Sequence, residues 1–124
     1  FALIIIIFLM ILCSSSIYKY WIGNIAIIPY SLTISVAIYF MVTIFYSPYT
    51  VFINGVGKIK LQMYSIGITA LINIPLSILI VHHFAFGVSG VVISNIICLL
   101  PYTILCPIQY WKIVNKKAYG IWNQ

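Results

Sequence analysis

The side chains able to do chemistry here are six lysines, two adjacent histidines, three cysteines and a series of hydroxyls and amides. Aspartate and glutamate are absent from all 124 residues. Without a carboxylate there is no carboxylate acid–base pair, no carboxylate metal cluster and no Ser/His/Asp set. His82 and His83 are neighbours in sequence, so on a helix they diverge and make a poor metal pair. Cys13, Cys98 and Cys106 form no Cys-x-x-Cys motif and are odd in number. They read as small apolar residues and not as a disulfide framework. No catalytic residue, cofactor or metal is expected. The chemistry left is hydrogen bonding and the attraction of cations for anions.

The hydrogen-bonding residues recur in steps of four. Ser31, Ser35, Tyr39, Thr43 and Ser47 are followed by Thr50 and Asn54. A second series is Ser65, Thr69, Asn73 and Ser77. Residues four apart share nearly one helical face, and the stripe drifts because a turn takes 3.6 residues. A third series, Gly90, Ser94, Cys98, Tyr102 and Cys106, is smaller and less polar, with Asn95 beside it. Small and hydroxyl residues let helices approach and bond to each other, and Gly90-x-x-x-Ser94 suits that packing role. The first two series leave two readings open, helix packing and a water-accessible cavity. Tyr39 and Asn73 are larger than close packing wants, and an asparagine in mid-membrane needs partners. On the cavity reading the lining residues are Tyr39, Thr43, Ser47, Thr50, Asn54, Ser65, Thr69, Asn73 and Ser77. Asn54 and Asn73 are then expected to matter more than Asn115 or Asn123.

The elements that must position these residues follow from composition. The chain is 65% hydrophobic and 5% charged. Soluble domains carry about 25% charged residues. The apolar runs reach the roughly 20 residues that a bilayer crossing needs, and no ten-residue alternation of a β-barrel is present. The expected fold is all-α, a polytopic bundle of four antiparallel spans near 1–17, 29–54, 59–82 and 87–110, with a tail over 111–124. The first run starts inside apolar sequence and lacks the basic front of a signal peptide, so the chain is expected to be the C-terminal part of a longer membrane protein. Short connections favour an up-down array. Pro48, Pro75 and Pro101 fall inside spans and free the carbonyls of Ile44, Leu71 and Ile97.

Lysines set the orientation. Lys58, Lys60, Lys112, Lys116 and Lys117 fall on one side and Lys19 alone on the other. The positive-inside rule puts the C-terminus and the "NGVGKIKLQ" corner in the cytosol, with Trp21 and His82–His83 outside. Tyr18, Tyr20 and Trp21 fit an outer aromatic belt, and Tyr110, Trp111 and Trp122 an inner one. In a soluble chain a net charge of +6 would raise nucleic acid as a partner. Here membrane lipids explain it, and no nucleic acid is expected.

The order "WIG", "INGVGKIKLQ", "NIPLSILI", "FGVSGVVISNI", "CPIQYWKI" and "GIW" resembles the C-terminal end of bacterial polysaccharide flippases. These O-antigen and capsular repeat-unit translocases form the polysaccharide-transport branch of the multidrug, oligosaccharidyl-lipid and polysaccharide exporter superfamily. The resemblance covers about residues 21–122. It implies a two-lobed bundle of a dozen or more helices around a central cavity, these four spans lying in the second lobe. It implies a multi-pass protein of the bacterial cytoplasmic membrane that moves undecaprenyl-diphosphate-linked oligosaccharide outward for surface polysaccharide biosynthesis. The partners are then the lipid-linked oligosaccharide, membrane lipids and the remaining N-terminal helices. Lys58 and Lys60 become candidate contacts for the diphosphate headgroup. Three alternatives stand beside it. A drug or metabolite exporter of the same fold would need an embedded acid elsewhere. A glycan polymerase or acyltransferase would carry its catalytic residues upstream. A small structural membrane subunit would be complete with these spans.

Overall fold

The computed structural model describes residues 2–21, 23, 28–84 and 86–123. Four α-helices follow one another: α1 (Ala2–Trp21), α2 (Tyr30–Val56), α3 (Lys60–Phe84) and α4 (Val88–Val114). A terminal 3-10 turn covers Gly120–Asn123. No strand occurs among the described residues. All four helices are long and apolar enough to cross a membrane. At 1.5 Å per residue, α1 spans about 30 Å and α2 and α4 about 40 Å, against about 30 Å of bilayer hydrocarbon. Helices satisfy every interior backbone group within themselves, which is what a lipid environment demands.

The helices run slightly past the expected spans. α4 in particular reaches Val114 and takes in the first residues assigned to the tail. Part of the α1–α2 connection, expected as "SSSIYKYWIGN", lies outside the described residues. α2 ends at Gly57, whose φ of 74° is left-handed. Gly57 N–H bonds the Asn54 carbonyl at 3.1 Å and Lys58 N–H bonds that of Ile53 at 3.2 Å. That pair of bonds is a Schellman ending, and glycine takes its left-handed residue without strain. Four prolines sit inside the helices: Pro48, Pro75, Pro101 and also Pro107. Pro107 adds a freed carbonyl at Thr103 to the three expected ones.

The order in space differs from the order in sequence. α1 packs on α2, whereas α2 and α3 both pack on α4 and make no comparable seam with each other. The layer therefore reads α1–α2–α4–α3. Ser31 meets Ser89, Thr50 meets Tyr102 and Tyr49 meets Tyr110, so α2 and α4 run parallel. Asn73 meets Asn95 while Thr69 meets Cys98, so α3 runs against α4. Up-down topology is kept, with α4 wedged between two helices that a three-residue corner joins. The core lies on the α2–α4 seam, where Ile53, Tyr102 and Cys106 are buried and Tyr46, Tyr49, Phe52 and Ile113 pack around them. Edge-on ring pairs fill this seam, Tyr46–Tyr102 at 5.4 Å and Phe52–Tyr110 at 4.8 Å. Such geometry suits aromatic quadrupoles.

Candidate functional site

The polar residues of α3 converge on α4. Asn73 Oδ1 accepts from Ser77 Oγ at 2.8 Å and from Ser94 Oγ at 3.1 Å. Asn73 Nδ2 donates to Asn95 Oδ1, and the Ser77 and Ser94 hydroxyls share a further bond. Thr69 Oγ1 donates to the Cys98 carbonyl at 3.4 Å. Close approach is needed for this. A Cβ on Gly90 would stand 3.2 Å from the Cγ2 atoms of both Ile80 and Val81. The small residues of α4 thus do what the packing reading expects of them.

Above this seam a cavity of about 270 Å³ opens between α2 and α3, with α4 as its floor. Tyr39, Thr69, Asn73, Asn95 and Tyr102 give it a polar lining, and Ile66, Ala70 and Leu99 an apolar one. The lining is neutral throughout. Asn95 uses its oxygen on Asn73, which leaves its amino group as a donor toward a bound molecule. Hydroxyl and amide groups arranged this way match the hydroxyls of a neutral polar solute. A second cavity, about 150 Å³, lies between α1 and α2 and is almost wholly apolar, with Ile7, Met10, Ile17 and Phe40 in its wall.

Of the sequence candidates, Tyr39, Thr69 and Asn73 meet at the cavity, and Ser77 touches it through Asn73. Thr43 Oγ1 turns back to the Tyr39 carbonyl at 2.9 Å. Thr50 belongs to the α2–α4 seam, 3.2 Å from the Tyr102 hydroxyl and 3.5 Å from Cys106 Sγ. Ser47 and Asn54 are exposed on other faces of α2, and Ser65 is half-buried on α3. The α2 stripe is therefore divided among several faces, as its drift of four against 3.6 requires. Asn95 and Tyr102 complete the cavity and were visible only as residues on or beside the α4 stripe.

Lys58 and Lys60 lie far from it. Asn73 is thirteen residues beyond Lys60 on α3, about 20 Å along the axis. Lys58 Nζ instead bonds Asn123 Oδ1, and Lys60 opens α3. The organiser of this end is Gln109, which is fully buried. Gln109 Nε2 donates to the Lys58 carbonyl at 3.0 Å and to the Trp122 carbonyl at 3.4 Å. It ties the α2–α3 corner to the terminal turn. Its Oε1, like that of Gln62, is buried without a partner among the described residues. Sequence reading passed over Gln109. The available signal was an amide three residues beyond Cys106, where the α4 stripe continues.

Comparison with protein-family models, curated proteins and solved structures finds no match to this chain. The class defined by fold and site is an all-helical protein with four helices able to span a membrane and a neutral polar cavity at mid-span.

Proposed function

We propose that the chain forms the second-lobe part of an exporter-type flippase for undecaprenyl-diphosphate-linked oligosaccharide in the bacterial cytoplasmic membrane. The observation that supports it is the cavity of Tyr39, Thr69, Asn73, Asn95 and Tyr102, set between spans that are otherwise apolar. Sugar hydroxyls cannot cross hydrocarbon without replacing the hydrogen bonds they make to water. A lining of neutral donors and acceptors replaces those bonds without adding a charge. A diphosphate needs cations, and Lys58 and Lys60 stand at the end where the positive-inside rule puts the cytosol. Loading would begin there, with the sugars advancing toward the cavity while the lipid tail stays in the bilayer. The resemblance of the ordered sequence segments to polysaccharide flippases agrees with this reading.

The test is a chromosomal Asn73→Ala/Tyr39→Phe double variant, with Asn115→Ala as the control and protein level held equal. Surface polysaccharide should fall in the double variant while lipid-linked repeat units accumulate on the cytoplasmic face. Unchanged surface polysaccharide would refute the cavity's role. Loss of polysaccharide without that accumulation would point to a biosynthetic enzyme in place of a flippase.

A further inference from the structure

The lysine-rich end is more than a topology signal. The sequence has six lysines and no acidic residue, so no lysine can be neutralised by a side chain of this chain. Beyond α4 the backbone reverses at Lys116, whose φ is 55°. Lys116 N–H bonds the Ile113 carbonyl at 3.1 Å and Lys117 N–H that of Lys112 at 2.8 Å. The terminal turn then folds back against α3 and α4, and the buried Gln109 amide holds it through Trp122. As a result the ammonium groups rest on neutral partners. Lys112 Nζ is 3.7 Å from the centre of the Trp122 ring, and Lys117 Nζ is 5.6 Å from that of Trp111. A ring face attracts an ammonium but takes none of its charge. Each still has N–H donors to offer. Beside these cations stand exposed apolar side chains: Trp111 (56%), Tyr119 (78%) and Ile121 (40%).

We propose that this folded-back end, through Lys112, Lys116 and Lys117 with Trp111 and Tyr119, is a docking surface for anionic phospholipid headgroups of the leaflet it faces. The inference rests on the four helices spanning a bilayer and not on the flippase reading. Charge complementarity selects a phosphate-bearing partner, because five unneutralised cations gather at one end. The apolar residues select lipid over a soluble phosphate. Aromatic and aliphatic side chains next to cations suit the boundary between headgroups and acyl chains, whereas a free phosphate gains nothing from them. Placing the ammonium groups on rings also reduces the side-chain freedom lost on binding.

The test uses the full chain in phosphatidylcholine micelles, titrated with phosphatidylglycerol, with the unfolding temperature as the readout. A basic residue near an anionic surface contributes about 1 kcal/mol, or about fivefold in affinity. The Lys112→Gln/Lys116→Asn/Lys117→Gln variant should therefore need about 100-fold more phosphatidylglycerol for the same shift. Asparagine at 116 keeps the left-handed backbone. Lys19→Gln, at the opposite end, should titrate like the parent. Should the triple variant fail to fold, Lys112→Arg/Lys117→Arg keeps the charge and should also titrate like the parent, while added salt should weaken the parent's response. The proposal is overturned if the triple variant titrates like the parent, if Lys19→Gln loses as much, or if salt has no effect. It is equally overturned if the arginine variant loses the response, or if soluble glycerol phosphate reproduces the shift.

Discussion

Replacing Asn73 with alanine removes three side-chain hydrogen bonds at once, to Ser77, Ser94 and Asn95. Hydrogen bonds between helices in a membrane average about 0.6 kcal/mol each, so their joint loss should destabilise the fold by about 2 kcal/mol. The groups left behind differ in their fate. Ser94 Oγ keeps its bond to the Val91 carbonyl at 2.8 Å, while the Asn95 oxygen loses its partner. The loss should therefore fall on the α3–α4 seam and leave the α2–α4 ring cluster intact. The assay is reversible unfolding in mixed micelles, followed by far-UV circular dichroism and by tyrosine and tryptophan fluorescence. Asn115→Ala, at an exposed residue with one bond to the Trp111 carbonyl, serves as the reference. An Asn73→Ala loss no larger than the Asn115→Ala loss would refute the network and return Asn73 to an inert residue.

Gln109→Ala should release the terminal turn, raising hydrogen exchange over residues 119–123 and costing about 1–2 kcal/mol for two amide bonds. Gln109→Glu should be worse above the carboxyl's pKa, since a carboxylate would face two carbonyl oxygens; equal stability of the two variants would contradict that geometry. Gly90→Leu should separate α3 from α4 and cost about 1–3 kcal/mol by overpacking, read as loss of a disulfide engineered across that seam. Tyr102→Phe should cost only about 0.6 kcal/mol, because its ring keeps its contact with Tyr46 and Thr50 keeps the Tyr46 carbonyl as a partner.

Much of the architecture was legible because lipid simplifies the problem. Long apolar runs have only one way to satisfy their backbone, so the four helices followed from composition. Gly57 marked the corner, since its left-handed φ is the one a Schellman ending needs. Periodicity showed which residues share a face, but not which helix that face meets. The short α2–α3 corner made those helices look like neighbours, whereas α4 wedges between them, because it alone carries small or polar residues on two faces. Gly90 and Ser94 serve α3, and Ser89, Tyr102 and Cys106 serve α2. The α2 stripe ran true in sequence, yet its drift sends Tyr39 to the cavity and Ser47 to the outside. Gln109 was illegible for another reason. Its partners are backbone carbonyls of Lys58 and Trp122, and carbonyls leave no trace in side-chain patterns.

The most direct test of the account asks whether the Tyr39–Asn73–Asn95 cavity meets water. In the full chain, with Cys13, Cys98 and Cys106 replaced by alanine, Ala70→Cys would report from the cavity wall and Leu71→Cys from the exposed apolar face beside it. A charged, membrane-impermeant thiol reagent should modify the cysteine at 70 and spare the one at 71. Equal labelling of both, or of neither, would contradict a water-filled cavity and leave the polar stripes as helix packing alone.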